Sequence, residues 1–333
     1  MRAAVKHMHK KLSYMCNNFH ERRTVPEMAR YISLDLIEKY CENAPVMRMK
    51  TGIVLVTFAL GAAAAAQPGP PDASWGADRL ASTMRTGDTT VAVEAAKALA
   101  EITGNEVAYA ALADAVESRK LDVPVRLAAI RALQGYGDAR AAQCYMNVLG
   151  DDDVRWAAAD ALVYFRTDAV TSRLMNILAA DKKAKRRAAA AYALGRFRDA
   201  AAFPTLLAAL RDRDVEVRVR ACAAAAAYGD RAAVEPLIAN LKSDKKWRGR
   251  LAAALALGVV HDERSVRPLG AALDDKRPEI RSAAAASLAA IGDMRAMDPL
   301  RARLKVEKDG AVRETITQAL DELKAGVLTG VKP

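Results

Sequence analysis

The chain has 333 residues, 52% hydrophobic but only 5% aromatic, with four histidines, four cysteines and a formal net charge of +11. So few histidines and cysteines exclude a disulfide-built scaffold and leave little stock for metal or nucleophile–base chemistry. From Gln67 onward there are 41 basic and 35 acidic residues, a net of +6, which is too balanced for a dedicated polyanion binder.

Residues 1–46 are poor in alanine and hold His7, His9, Cys16, His20 and Cys41. Cys16 and His20 are four apart, but no Cys-x-x-Cys is present and Cys41 stands alone, so the zinc pattern is incomplete. Met47-Arg-Met-Lys50, the apolar run Gly52–Leu60 and the Ala-x-Ala of Ala62–Ala66 then come in the order of a secretory signal peptide. The apolar run falls short of the roughly 20 residues of a membrane span. The expectation is translation from Met47 or Met49, cleavage near Ala66 and a periplasmic or secreted product, with residues 1–46 upstream of the true start. The alternative keeps 1–46 as a cytosolic Cys/His leader and 47–66 as a short anchor for an external sensor. That leader resembles the zinc-binding leader of bacterial anti-sigma factors, without its Cys-x-x-Cys. Residues 67–74 read as a Pro-rich tether, and Trp75–Met84 as a short helix capping the helical array downstream.

The rest of the chain is one unit repeated. In its clearest copy, Asp214 stands at an N-cap, Val217 and Arg218 follow, and Ala221, Ala224 and Ala225 share a helical face. Gly229-Asp230 breaks the helix, and Val234, Leu237, Ile238 and Leu241 form the apolar stripe of a second helix, with Pro236 in its first turn. The arginine slot recurs at Arg126, Arg155, Arg187, Arg218, Arg248, Arg281 and Arg313, at intervals of 29 to 33 residues. The turn slot holds Asn105, Asp138, Asp168, Asp199, Asp230, Asp262 and Asp293. Agreement of independent slots at one period predicts an all-α solenoid of about seven stacked helix pairs. The pairs are expected at 88–117, 121–149, 152–179, 183–210, 214–241, 244–273 and 276–305, a last helix at 309–325 and a frayed tail at 326–333. Asp-x-x-Val-Arg, the Ala-Ala-x-Ala-Leu run, Gly-Asp-x-Arg-Ala and Pro-Leu-Ile-x-x-Leu resemble the HEAT-like repeat of the phycobilisome-lyase type, over residues 86–325. That resemblance implies the fold; the same repeat serves lyases, hydroxylases and plain binding scaffolds alike.

The arginine ladder reads as structural, each arginine pairing with a turn aspartate of its own or a neighbouring repeat, Asp138, Asp199, Asp230 and Asp293 among them. Asp122, Asp151, Asp214, Asp244 and Asp309 read as N-caps. Lys182, Lys183, Lys185, Arg186, Lys245, Lys246, Lys276 and Arg277 form a broken basic ridge, but Asp151, Asp152, Asp212, Asp274 and Asp275 are interleaved with it, which reads as a solvated edge. The concave face, expected on the second helices, presents Gln143, Asn147, Asn176, Asn240, Arg267 and Arg303 as the candidate binding surface, with Glu235 and Asp298 beside them. Trp156, Tyr164, Phe165, Tyr192, Phe197 and Tyr228 follow the helical period and read as core.

No catalytic residue, cofactor or metal ligand is expected. His261 is the only histidine in the repeats, and Cys144 and Cys222 lie too far apart in the array to pair. The function expected is therefore that of an exported, non-enzymatic scaffold binding a protein or peptide, with no nucleic acid and with membrane contact only through the N-terminal segment. The rival drawn from the resemblance is a bilin-lyase-like enzyme that attaches a chromophore.

Overall fold

The computed structural model describes residues 70–329, and the readings placed on the leader and the signal-peptide segment lie outside them. A 3₁₀ turn at Ala73–Trp75 leads into α1 (Ala77–Thr86). Seven helix pairs come next: α2 (Thr89–Glu101) and α3 (Glu106–Glu117), α4 (Val123–Tyr136) and α5 (Ala141–Val148), α6 (Arg155–Ala161) and α7 (Asp168–Ala180), α8 (Ala184–Phe197) and α9 (Phe203–Ala209), α10 (Val215–Tyr228) and α11 (Val234–Ser243), α12 (Trp247–Val260) and α13 (Val266–Ala272), α14 (Pro278–Ile291) and α15 (Met297–Val306). The last helix, α16, runs Gly310–Thr329, beyond the end at 325 read from sequence. No strand occurs among the described residues, and no helix among them is long and apolar enough to cross a membrane.

Alanine sets the geometry. Ala188–Ala191 of α8 and Ala223–Ala227 of α10 are buried along whole helical turns. Short side chains let neighbouring first helices approach until their backbones nearly touch. Successive first helices therefore lie much closer together than successive second helices, which carry Leu237, Ile238, Leu269 and Leu300. A stack with one tight layer and one wide layer curves toward the tight one. Trp156 of α6 accordingly reaches Arg220 of α10, over the intervening α8, with the guanidinium carbon 4.0 Å from the ring centre. Two helices in that relation stand roughly 16–20 Å apart in a flat row, so the side chains converge from a concave surface. The first helices line the concave face, the reverse of the expectation from sequence. At the N-terminal end α1 covers the first pair through Leu80, Ala81 and Met84, which gives the array a closed end.

The ladder is present, with two members and one partner class corrected. Arg126, Arg187, Arg218, Arg281 and Arg313 are each the fourth residue of a first helix. Arg187 donates to both carboxylate oxygens of Asp212 at 2.8 Å, and Arg218 to both of Asp244 at 2.7 Å. Arg281 does the same to Glu307 at 2.7 and 2.8 Å, and Arg126 reaches Asp151 at 3.1 Å. Arg313 closes the series on the carbonyls of Leu304 and Glu307. In the sixth pair the ladder residue is Arg250, bound to Asp275. Arg248 sits two residues earlier on another face and donates to Glu216. Arg155 also leaves the ladder. It follows the loop acid Asp151 by four positions, where Arg187, Arg218, Arg250, Arg281 and Arg313 follow theirs by six, so it opens α6 instead of lying one turn in, and it turns back onto Asp152 of its own loop. The acceptor that Arg155 would have met, Asp181, is taken by Arg186.

The partners of the ladder are thus the acids of the loop entering the next first helix. The turn acids Asp138, Asp199, Asp230 and Asp293 do a different job, accepting the backbone N–H two residues on. Asp168 departs from the pattern: it is the first residue of α7, and Thr167 caps that helix. Of the acids read as N-caps, Asp214 and Asp309 accept first-turn N–H groups, whereas Asp151 and Asp244 are ladder acceptors.

Five first helices end in a left-handed residue that releases the chain into the turn. Gly137, Gly229 and Gly292 take it at φ 66°, 67° and 72°, as does Arg198 at 54° and His261 at 54°. A side chain there strains the backbone. Arg198→Gly and His261→Gly are each expected to raise unfolding stability by up to about 1 kcal/mol, read as a later urea midpoint at constant slope; an earlier midpoint contradicts the strain argument.

The ladder also sets acid stability. Arg281, helped by the backbone N–H of Asp309 and by Arg303, outweighs burial and holds the Glu307 carboxyl down at about 2, against an ordinary 4.5. Burial pushes Asp212 up, but Arg187 more than offsets it and the carboxyl lies below its usual range. The folded values lie below the unfolded ones, so this stabilisation is complete above the unfolded value and is lost as pH falls toward the folded one. Glu307→Gln is expected to cost about 3 kcal/mol at neutral pH by stranding Arg281. It should also flatten the fall in melting temperature between pH 4.5 and about 2. An acid limb as steep as that of the wild type would contradict the assignment.

Candidate functional site on the concave face

On each first helix the ladder side faces the neighbouring repeat, and the residues two, six and nine positions in face the concave side. At the array ends these slots hold solvated polar residues such as Thr90, Glu94 and Lys97, or Thr315 and Gln318. At the centre most of them hold charged or aromatic residues that join, with Arg155 and Arg196 beside them, into one row, while Ala189, Ala223, Ala252 and Leu255 fill other slots. Arg196 lies 3.9 Å from Asp160, and Asp160 accepts from the Tyr192 hydroxyl at 2.6 Å. The Tyr192 ring meets Trp156 edge-on, with centroids 5.6 Å apart. Trp156 has Arg155 over its ring at 4.9 Å and Arg220 at 4.0 Å. Arg220 donates to Glu216 at 2.9 Å, and Glu216 accepts from Arg248 at 3.3 Å. The row spans α6, α8, α10 and α12, and the next helix adds Glu279 in the slot of Arg248.

Two features separate this row from ordinary solvated surface. An indole between two guanidiniums is an arrangement that recognition surfaces favour, since each cation sits on the negative face of the ring. In addition, Arg155 Nε, Arg248 Nε and Glu279 Oε2 are buried with no hydrogen-bond partner. Such atoms lose the interaction they would have in water. A turn of these side chains outward would bring their unpaired atoms to an incoming chain.

The surface expected from sequence falls on the outer layer and does not come together. Asn240 is buried and donates to the Leu210 carbonyl of the preceding repeat at 2.9 Å. Arg303 binds Glu307 at 2.9 Å and Asp274 at 3.2 Å. Asn147 donates to Glu117 of the preceding repeat and accepts from Gln143. Asn240, Arg303 and Asn147 tie repeats to one another, and Gln143 braces Asn147 within α5. Asn176 and Arg267 are exposed and lie on different second helices. Of the aromatics read as core, Phe165, Tyr192 and Phe197 are buried, but Tyr164 is 73% exposed and half-buried Trp156 anchors the row. One signal in the sequence marks the place: the third pair departs from the repeat in its short spacing from Asp151 to Arg155, in the Phe165-Arg-Thr-Asp168 that replaces Gly-Asp, and in the 3₁₀ end of its first helix at Leu162–Phe165. Local rules broken in an otherwise regular array point to function. Among the described residues no cluster of three or more His, Cys, Asp or Glu is placed to hold a metal ion.

Comparison with curated protein sequences gives no match. Among solved structures, the karyopherin Kap121p bound to Pho4p is similar, with a TM-score of 0.59 at 13% identity, covering 76% of this chain and 34% of its own. Kap121p alone superposes with a TM-score of 0.60. This chain therefore spans about a third of the karyopherin, and the likeness is one of fold. Human deoxyhypusine hydroxylase in complex with glycerol aligns over 66% of this chain and 86% of its own at 18% identity, but at a TM-score of 0.34, too low to carry an argument. The family model for HEAT repeats matches residues 118–195, 171–258 and 234–321, which together cover more than half of the chain. With its paired helices, period and arginine ladder, the chain belongs to the HEAT-repeat family.

Proposed function

We propose that this protein is an exported, non-enzymatic scaffold that binds a protein or peptide in the concave groove of its first helices. The carrying observation is the row from Arg196 to Arg248, with the unpartnered atoms of Arg155, Arg248 and Glu279 at its floor. A curved stack held by nearest-neighbour contacts supplies area and rigidity, and binding by such a surface concentrates on a few tryptophan and arginine anchors. The karyopherin structures bound to Pho4p, Ste12p and Nup53p are solenoids of similar fold with protein partners, which supports the class of ligand. Export is supported by the order Met47–Lys50, Gly52–Leu60 and Ala62–Ala66. N-terminal sequencing of the protein from its own cells should return a start near Gln67.

The binding reading is tested by selecting peptides from a random library against the full chain. Selected peptides are expected to lose about tenfold or more in affinity on Trp156→Ala, and a similar amount on Arg248→Ala. Peptides that bind both variants as tightly as wild type, or a selection that yields none, would remove the concave groove as the binding site.

A further inference from the structure

The loops that enter the first helices sort their charges by direction. The acids at the ladder position of five successive loops, Asp181, Asp212, Asp244, Asp275 and Glu307, are each followed at once by a cation: Lys182, Arg213, Lys245, Lys276 and Lys308. All five cations are exposed. The acids before them point inward and are held by Arg186, Arg187, Arg218, Arg250 and Arg281. The carboxylates that alternate with the lysines along the sequence therefore do not neutralise them in space. Three loops add a second cation, Lys183, Lys246 or Arg277, at the N-cap, and none of these makes a side-chain capping bond. The same position in other repeats holds Asp214 or Asp309, which do cap. A cation beside the positive end of a helix opposes the helix dipole. Arg213 donates to the Lys182 carbonyl and Arg277 lies over the Trp247 ring at 5.3 Å, but the lysines of the file neither balance the ladder nor help the helices.

We infer that this edge docks an extended acidic segment of a protein partner, one carboxylate per repeat. The inference rests on the reading of the chain as a protein-binding scaffold, but it uses a different surface. Neighbouring helices stand roughly 8–10 Å apart, which is about three residues of extended chain at ~3.3 Å each. A segment with an acid at every third position therefore matches the file of cations. A duplex nucleic acid carries a charge every ~1.7 Å, far denser than this file, and it would meet the exposed carboxylates of Asp153 and Asp274. A bilayer asks for a broad patch with apolar side chains to insert. Of the large apolar side chains exposed among the described residues, Val107, Tyr164 and Met294 lie away from this edge and Val306 stands alone at its C-terminal end.

The test is fluorescence anisotropy of the full chain with a labelled peptide bearing glutamate at every third position. Wild type is expected to bind at low salt and to weaken steadily as salt rises. The triple variant Lys182→Glu, Lys245→Glu, Lys276→Glu should bind at least about tenfold more weakly. The control triple Arg173→Glu, Lys242→Glu, Arg267→Glu on the outer helices, and Trp156→Ala in the groove, should bind as wild type. If the triple variant melts early, the single substitutions carry the test, each with a few-fold loss. No binding, or equal loss in the control triple, overturns the proposal. Tighter binding of an oligothymidylate or of phosphatidylglycerol vesicles through the same lysines also overturns it, because the edge then serves another polyanion. Failure of the groove shows in Trp156→Ala and failure of the edge in the lysine variants, so the two are separable.

Discussion

Arg218→Ala is expected to lower the stability of the array by about 3–5 kcal/mol. Arg218 approaches both oxygens of Asp244 at 2.7 Å, and the Asp244 side chain is only 2% exposed. Removing the guanidinium leaves a carboxylate sealed away from water, with only the N–H of Lys246 still bonded to it. The same substitution at Arg248, two residues from the ladder residue Arg250, touches only the partly exposed Glu216 and should cost no more than about 1 kcal/mol. Urea unfolding of both variants, with Arg250→Ala as a third that should behave like Arg218→Ala, decides which arginines belong to the ladder. Equal losses at 248 and 250 would mean that Arg250 does not hold the ladder position of the sixth pair alone. Because each ladder pair joins consecutive repeats, the loss should also reduce cooperativity, with the unfolding slope falling as the array splits at the α10–α12 junction.

Gly195→Ala should be nearly as damaging, although it adds one methyl group. A Cβ on Gly195 of α8 would lie 2.7 Å from the Cβ of Ala224 and 2.9 Å from its Cα on α10. Neither atom is the end of a flexible side chain, so the two helices must separate or shift. Overpacking of this kind costs about 1–3 kcal/mol, and here it falls between the two most thoroughly buried helices. Adding Ala224→Gly to Gly195→Ala should recover much of the loss, since it returns the missing volume from the other side. A pair that stays as unstable as the single variant would show that the contact is not the cause. Gly258 against Ser287 repeats the arrangement two repeats later, with the Ser287 hydroxyl bonded to the Ala254 carbonyl at 2.9 Å.

The helix pairs and their limits are legible in the sequence because many slots agree at one period, and each slot has a local cause: an acid before a helix, glycine after it, leucines at helical spacing. The register of the sixth pair is not, because Gly249-Arg250 replaces the usual valine–arginine and Trp247-Arg248 imitates it two residues early. The structure gives a reason for that glycine: a Cβ at 249 would collide with the Asp244 carboxylate. The partner of the ladder is hidden because sequence places two acids per repeat near the arginine, and only the fold shows which one it faces. The direction of curvature is not legible at all. It depends on a small difference in spacing between two helix layers, set by alanines in one and leucines in the other and accumulated over eight helices. With the curvature reversed, the second-helix polar residues become ties and outer surface, and the concave row built on Trp156, Tyr192 and Arg220 takes their place. The basic edge looks neutral in sequence for a related reason, since a sequence gives the order of charges and not which way they point.

Recognition in the concave groove is tested most directly by site-specific photo-crosslinking in the producing cell, with the reactive residue placed at Leu255 or Arg131 on the concave side and at Asn176 or Arg267 on the outer helices. Protein adducts of the same mass are predicted from both concave positions, lost on Trp156→Ala, and none of that mass from the outer positions. Adducts from the outer helices alone, or concave adducts indifferent to Trp156, would contradict binding in the groove.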